Sequence, residues 1–135
     1  MHILLTGGTG FIGSALCEQL HADGHHLTIL TRRPADGNPA YRNIGSLDEV
    51  ATDERMDAII NLAGASLANR RWSETYKREI YSSRLDTTQR LLDLVRRLEH
   101  KPRTLLSASA IGFYGHHGDE VLDEGGICTP GFSQE

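Results

Sequence analysis

TGGTGFIG, residues 6–13, directly follows the apolar run HILL at residues 2–5, and its reading decides the fold. HILLT (2–6) predicts a short strand. From 11 to 23 the residues Phe11, Ile12, Ala15, Leu16, Gln19 and Leu20 recur at helical spacing, and Gly24 then ends the helix. Gly7, Gly10 and Gly13 therefore fall in the order GxxGxxG between a strand and a helix. In that setting each glycine has a mechanical role. One makes the tight turn, one lets backbone approach a pyrophosphate, and one lets the helix pack close to the sheet. The unpaired N–H groups and positive dipole end of the helix favour phosphate. Thr9, Phe11 and Ile12, between the glycines, are assigned to the same ligand. A phosphate loop of nucleotide hydrolases needs Gly-Lys-Ser/Thr at its end, and this stretch has no lysine. A dinucleotide is the expected ligand.

The second strand, HHLTILT (25–31), closes on Thr31, Arg32 and Arg33. An acidic residue about 20 positions beyond the glycines would accept hydrogen bonds from an adenosine ribose. An arginine pair cannot accept them, but it grips a 2′-phosphate through charge-assisted contacts. NADP(H) is thus favoured over NAD(H), against the reading of both arginines as solvated loop residues.

The rest of the chain alternates in the same way. RRPADGNPA (32–40) is loop, residues 41–44 give a weak third strand, and SLDEVA (46–51) offers one or two helical turns. MDAIINLAG (56–64) is an apolar strand running into a glycine. Ser73 caps a long helix with Glu74 in its first turn; Tyr81, Leu85, Thr88, Leu92 and Val95 lie along one face, and the helix ends near His100, before Pro102. TLLSASA (104–110) is a further strand, followed by a glycine-rich, charged tail. Strands joined by crossover helices imply a parallel sheet with helices on both faces, an α/β doubly wound Rossmann domain over 1–135 with strand order 3-2-1-4-5. The 135 residues suit one domain, 39% hydrophobic and 24% charged. Neither a membrane span nor a signal-peptide pattern is present, which points to the cytoplasm. A net charge of -4 argues against a nucleic-acid partner. Cys17 and Cys128 lack a CxxC spacing and read as unpaired thiols.

TGGTGFIG, then NLAG at 61–64, then SASAIGFYG at 107–115, resemble the extended and atypical short-chain dehydrogenase/reductases. NLAG followed by RRW (70–72) and SRLDTTQRLL (83–92) is similar to a subgroup of sugar-nucleotide-epimerase-like proteins. The resemblance implies that backbone at Leu62, Ala63 and Gly64 lies along the cofactor. It puts Arg84 at the usual helix asparagine, where it is expected to reach the nicotinamide-side ribose or phosphate, assisted by Glu79 one turn earlier. It aligns the active-site serine with Ser109. It further implies hydride transfer with a small, sugar-nucleotide-like substrate. Family members run to roughly twice this length, so the residues resemble the cofactor half, truncated before the C-terminal strands and the substrate part. A sheet of that kind exposes an apolar edge, which predicts a homodimer or low stability.

The proton-relay tyrosine of such enzymes lies four residues before a lysine. Here Tyr41, Tyr76, Tyr81 and Tyr114 are followed at that distance by Gly45, Ile80, Leu85 and Gly118. In the resembled subgroup the pair is commonly degraded, often with cysteine for the lysine. Tyr114 is a substitute acid or a loop-shaping residue. The alternative function is therefore a non-catalytic dinucleotide sensor or protein-interaction module. Arg70, Arg71, Lys77, Arg78 and Arg84 form a solvated face that also suits a phosphorylated substrate. Trp72 either anchors loop to helix or walls the nicotinamide side. His116-His117 with Asp119, Glu120, Asp123 and Glu124 reads as solvated loop, because adjacent histidines point apart; no metal site is expected.

Overall fold

The computed structural model describes residues 1–67, 70–115 and 117–127. Five short strands, β1 (His2–Thr6), β2 (His26–Leu30), β3 (Arg42–Ile44), β4 (Ala58–Asn61) and β5 (Thr104–Ser107), form one parallel sheet in the order β3-β2-β1-β4-β5. Helix α1 (Phe11–Ala22) connects β1 to β2, and α2 (Glu74–Arg97) connects β4 to β5. This is the doubly wound Rossmann arrangement and the strand order that the sequence predicts. Pro34–Asp36 and Leu47–Glu49 are single 3-10 turns, the second closed by a capping box between Ser46 and Glu49. Among the described residues no helix is long and apolar enough to cross a membrane.

The central strands are apolar on both faces because both faces are covered. In β1, Leu4 joins Ile59, Ile44, Leu91, Leu94 and Leu98 beneath α2, while Ile3 and Leu5 join Leu27, Ile29, Ile60 and Cys17 beneath α1. Gly24, at φ 80°, turns the chain out of α1, and the His25 N–H closes back on the Leu20 carbonyl at 3.0 Å. At the far end of α2, the Lys101 ammonium donates to the Val95, Arg96 and Leu98 carbonyls at 2.7–2.8 Å and so satisfies its last turn.

The helix faces depart from the sequence reading. In α1 the line turned to the sheet is Gly13, Leu16, Cys17 and Leu20, whereas Phe11 and Ile12 are 97% and 70% exposed. In α2 the buried line is Tyr76, Ile80, Leu91 and Leu94, continued by Leu98 at the C-cap; of the face singled out by spacing, Tyr81, Leu85 and Leu92 point outward, while Thr88 and Val95 turn to the sheet. Apolar residues come in adjacent pairs here, Ile80 with Tyr81 and Leu91 with Leu92, so periodicity fits two stripes about 100° apart. Contacts decide between them, since the inward line also carries the polar groups that bond to the β4 exit. β5 is the edge strand, with Leu105 and Leu106 both substantially exposed.

Leu91→Ala should lower the free energy of unfolding by about 3 kcal/mol, and Leu92→Ala by less than about 1 kcal/mol. Urea denaturation of the two variants checks the assignment; equal losses would contradict it.

Candidate functional site

The site forms where the carboxyl ends of β1, β2 and β4 meet the start of α1. Gly7 has φ 73°, a left-handed conformation open to glycine, and a Cβ placed there would lie 2.7 Å from the Leu62 carbonyl carbon and oxygen. At Gly13 a Cβ would lie 2.1 Å from the Gly7 carbonyl oxygen. The first turn of α1 thus rests on the glycine turn, and the glycine turn rests on the exit of β4, backbone against backbone. Gly10 is the N-cap and brings no side chain, so the N–H groups of the first helical turn are left for a ligand. Thr9, Phe11 and Ile12 flank this opening and are exposed.

Beneath the opening lies a polar network that the sequence does not announce. The Thr6 hydroxyl donates to Asn61 Oδ1 at 2.6 Å and accepts the Ala63 N–H at 3.2 Å. Asn61 Nδ2 donates in turn to the hydroxyls of Thr88 (3.2 Å) and Ser107 (3.4 Å), which links β1, β4, β5 and α2. Thr6 and Asn61 are buried, and leaving either unpaired would cost about 1–3 kcal/mol. The one signal in the sequence is a polar residue ending each of two otherwise apolar strands.

The loop leaving β4 is held by side chains of α2 and its lead-in. The Ala65 N–H donates to Ser83 Oγ at 2.9 Å, and Arg84 donates to the Ala65 carbonyl at 3.3 Å and to the Ile80 carbonyl at 3.0 Å. The Tyr76 hydroxyl donates to the Ser66 carbonyl, and the Trp72 indole N–H to the Leu67 carbonyl at 2.8 Å. Trp72 is therefore tied into the loop, the anchoring role of the two considered for it. The Arg84 guanidinium lies against Gly64, where a Cβ would sit 2.8 Å from its central carbon. Leu62, Ala63 and Gly64 thus leave β4 on a path fixed from below by Thr6 and from beyond by α2.

On the other flank, Thr31 follows β2, and its hydroxyl accepts the Arg33 N–H at 3.3 Å. Arg33 forms an exposed ion pair with Asp36 at 3.6 Å, whereas Arg32 is exposed with no ion pair among the described residues. Glu79 is exposed on α2. Ser109 lies two residues past the carboxyl end of β5 and is exposed. Burial, with Glu18 adding, pushes the Cys17 thiol up and keeps it protonated beneath the glycine turn. His117 spends its ring nitrogens within its loop, on the Tyr114 carbonyl at 2.9 Å and Glu120 at 3.3 Å. His116 and Cys128 lie outside the described residues.

Known proteins share this arrangement. An epimerase family protein of Staphylococcus haemolyticus is 43% identical over 114 residues, which cover 82% of this chain and 38% of that protein. The human epimerase family protein SDR39U1 is 37% identical over 118 residues, covering 84% and 38% respectively. A crystal structure of human SDR39U1 isoform 2 with NADPH superposes with a TM-score of 0.80 at 33% identity, over 95% of this chain and 43% of that one. The nucleoside-diphosphate sugar epimerase of Corynebacterium glutamicum gives 0.76 at 32% identity, over 99% and 28%. The chain thus spans about two-fifths of the length of the curated relatives named. Residues 3–129 match the NAD dependent epimerase/dehydratase family, and the chain belongs to that family.

Proposed function

We propose that the chain binds NADP(H) in preference to NAD(H), as the cofactor-binding part of an oxidoreductase or epimerase-like enzyme that acts on a small, sugar-nucleotide substrate. The observation that carries this reading is the stacking of the glycine turn between the α1 N-terminus and the exit of β4. It leaves the backbone N–H groups of the first α1 turn open as a cradle, and a Cβ added at Gly7 or Gly13 would collide with the backbone that holds that turn in place. Such a cradle suits a pyrophosphate. Gly7, Gly10 and Gly13 would seat it, with Thr9, Phe11 and Ile12 around it. Arg32 has its donors available for a 2′-phosphate, and the human relative solved with NADPH supports that preference.

When bound, the nicotinamide supplies hydride transfer. This chain's residues would orient it: Leu62, Ala63 and Gly64 line its path, Arg84 retains donors beyond those given to the loop, and Glu79 stands one turn before Arg84 and Ser83. Ser109 would hold the reacting oxygen of the substrate at the carboxyl edge of the sheet. The exposed edge of β5 supports self-association, which makes a homodimer part of the proposal.

Two outcomes test the reading. Fluorescence titration should give tighter binding of NADPH than of NADH, and Arg32→Ala should weaken NADPH roughly tenfold while changing NADH little. Equal affinities, unchanged by the substitution, would contradict the assignment of Arg32. Ser83→Ala should speed hydrogen exchange at the Ala65 amide and cost about 1 kcal/mol of stability; unaltered exchange would contradict the clamp on the loop.

A further inference from the structure

Between the glycine turn and the segment after β2 lies a hollow of about 170 Å³, lined among others by Gly8, Thr9, Ser14, Asp36, Asn38 and Tyr41. It is smaller than the clefts that enclose whole ligands, so one portion of a larger molecule enters it. With the pyrophosphate on the α1 N-terminus, that portion is the adenosine ribose, which lies over the carboxyl end of β2. The inference rests on the cofactor reading given above. The charged side chains lining the hollow are Asp36 and Glu18, both acidic. Neither arginine lines it: Arg33 reaches it through its ion pair with Asp36 at 3.6 Å, and Arg32 makes no ion pair among the described residues.

We infer that Asp36 is the residue that sets how strongly the site discriminates between the two cofactors. A carboxylate accepts hydrogen bonds and donates none, so it suits a ribose hydroxyl and repels a phosphate. Asp36 thereby supplies, six residues after β2, the acceptor that Thr31, Arg32 and Arg33 lack at the strand end. With NADP(H) bound, the 2′-phosphate competes with Asp36 for Arg33, while Arg32 serves the phosphate without a competitor. Asp36 therefore raises affinity for NAD(H) and lowers it for NADP(H), and it narrows a preference that the two arginines alone would make wide.

The test is titration of NADPH and NADH against the 135-residue chain, as wild type, Asp36→Asn and Asp36→Asn with Arg33→Gln, at one fixed salt concentration. Asp36 and Arg33 are mostly exposed, so the variants should fold, and thermal melting checks that they do. Asp36→Asn should tighten NADPH roughly two- to fivefold and weaken NADH by a similar factor, the scale of an exposed charge interaction. In the Arg33→Gln background its effect on NADPH should shrink. Shifts of both cofactors in the same direction, or a ratio of affinities altered less than about twofold, would overturn the role of Asp36 and leave the cofactor reading standing. A wild-type chain that binds neither cofactor would overturn both.

Discussion

The contact of Gly13 with Gly7, and of Gly7 with Leu62, places three stretches of backbone where side chains would ordinarily keep them apart. One added methyl group at Gly13 would stand 2.1 Å from a carbonyl oxygen, well inside contact distance. Because α1, the turn after β1 and the exit of β4 meet in this way, the open N–H groups of α1 face the path that leaves β4. The sheet supplies the remaining alignment: β1 and β4 pair in parallel with Thr6 opposite Asn61, and the hydrogen bond between those two side chains fastens the ends from which both loops depart.

The two apolar cores and the polar network act at different levels along the strands. Ile3, Leu4 and Leu5 with Ile59 and Ile60 hold the sheet between its helices, while Thr6 and Asn61, at the last positions, exchange apolar burial for directed hydrogen bonds. Such a network adds stability only when all its members are satisfied. Among the described residues no buried side-chain nitrogen or oxygen lacks a partner. α2 joins the two regimes, packing on the sheet through Leu91 and Leu94, with Leu98 at its C-cap, and holding the β4 loop through Tyr76, Ser83 and Arg84.

Sheet order and the glycine turn are legible in the sequence because both rest on local signals: apolar runs of strand length, glycines at fixed offsets, and one permitted hand for a crossover. The facing of α2 is not, since Leu91 and Leu92 are equally apolar and only contact with Leu4 and Ile59 selects the first. The bonds among Thr6, Asn61, Thr88 and Ser107 join residues up to 55 positions apart, and no spacing announces them before the register of the sheet is known. Asp36 is hidden in the sequence for a related reason. A residue that lines the hollow from a 3-10 turn obeys no fixed offset from the strand end.

The proposed dinucleotide seat is the carboxyl edge of the sheet, beside the start of α1. Amide chemical-shift mapping of the isotope-labelled chain during titration with NADPH tests it most directly. The largest shifts should fall on residues 8–13, 31–33 and 62–64, and they should saturate together with a single affinity. Shifts confined to the opposite pole, around His21, His25 and His26, or no saturable shift at all, would contradict the account.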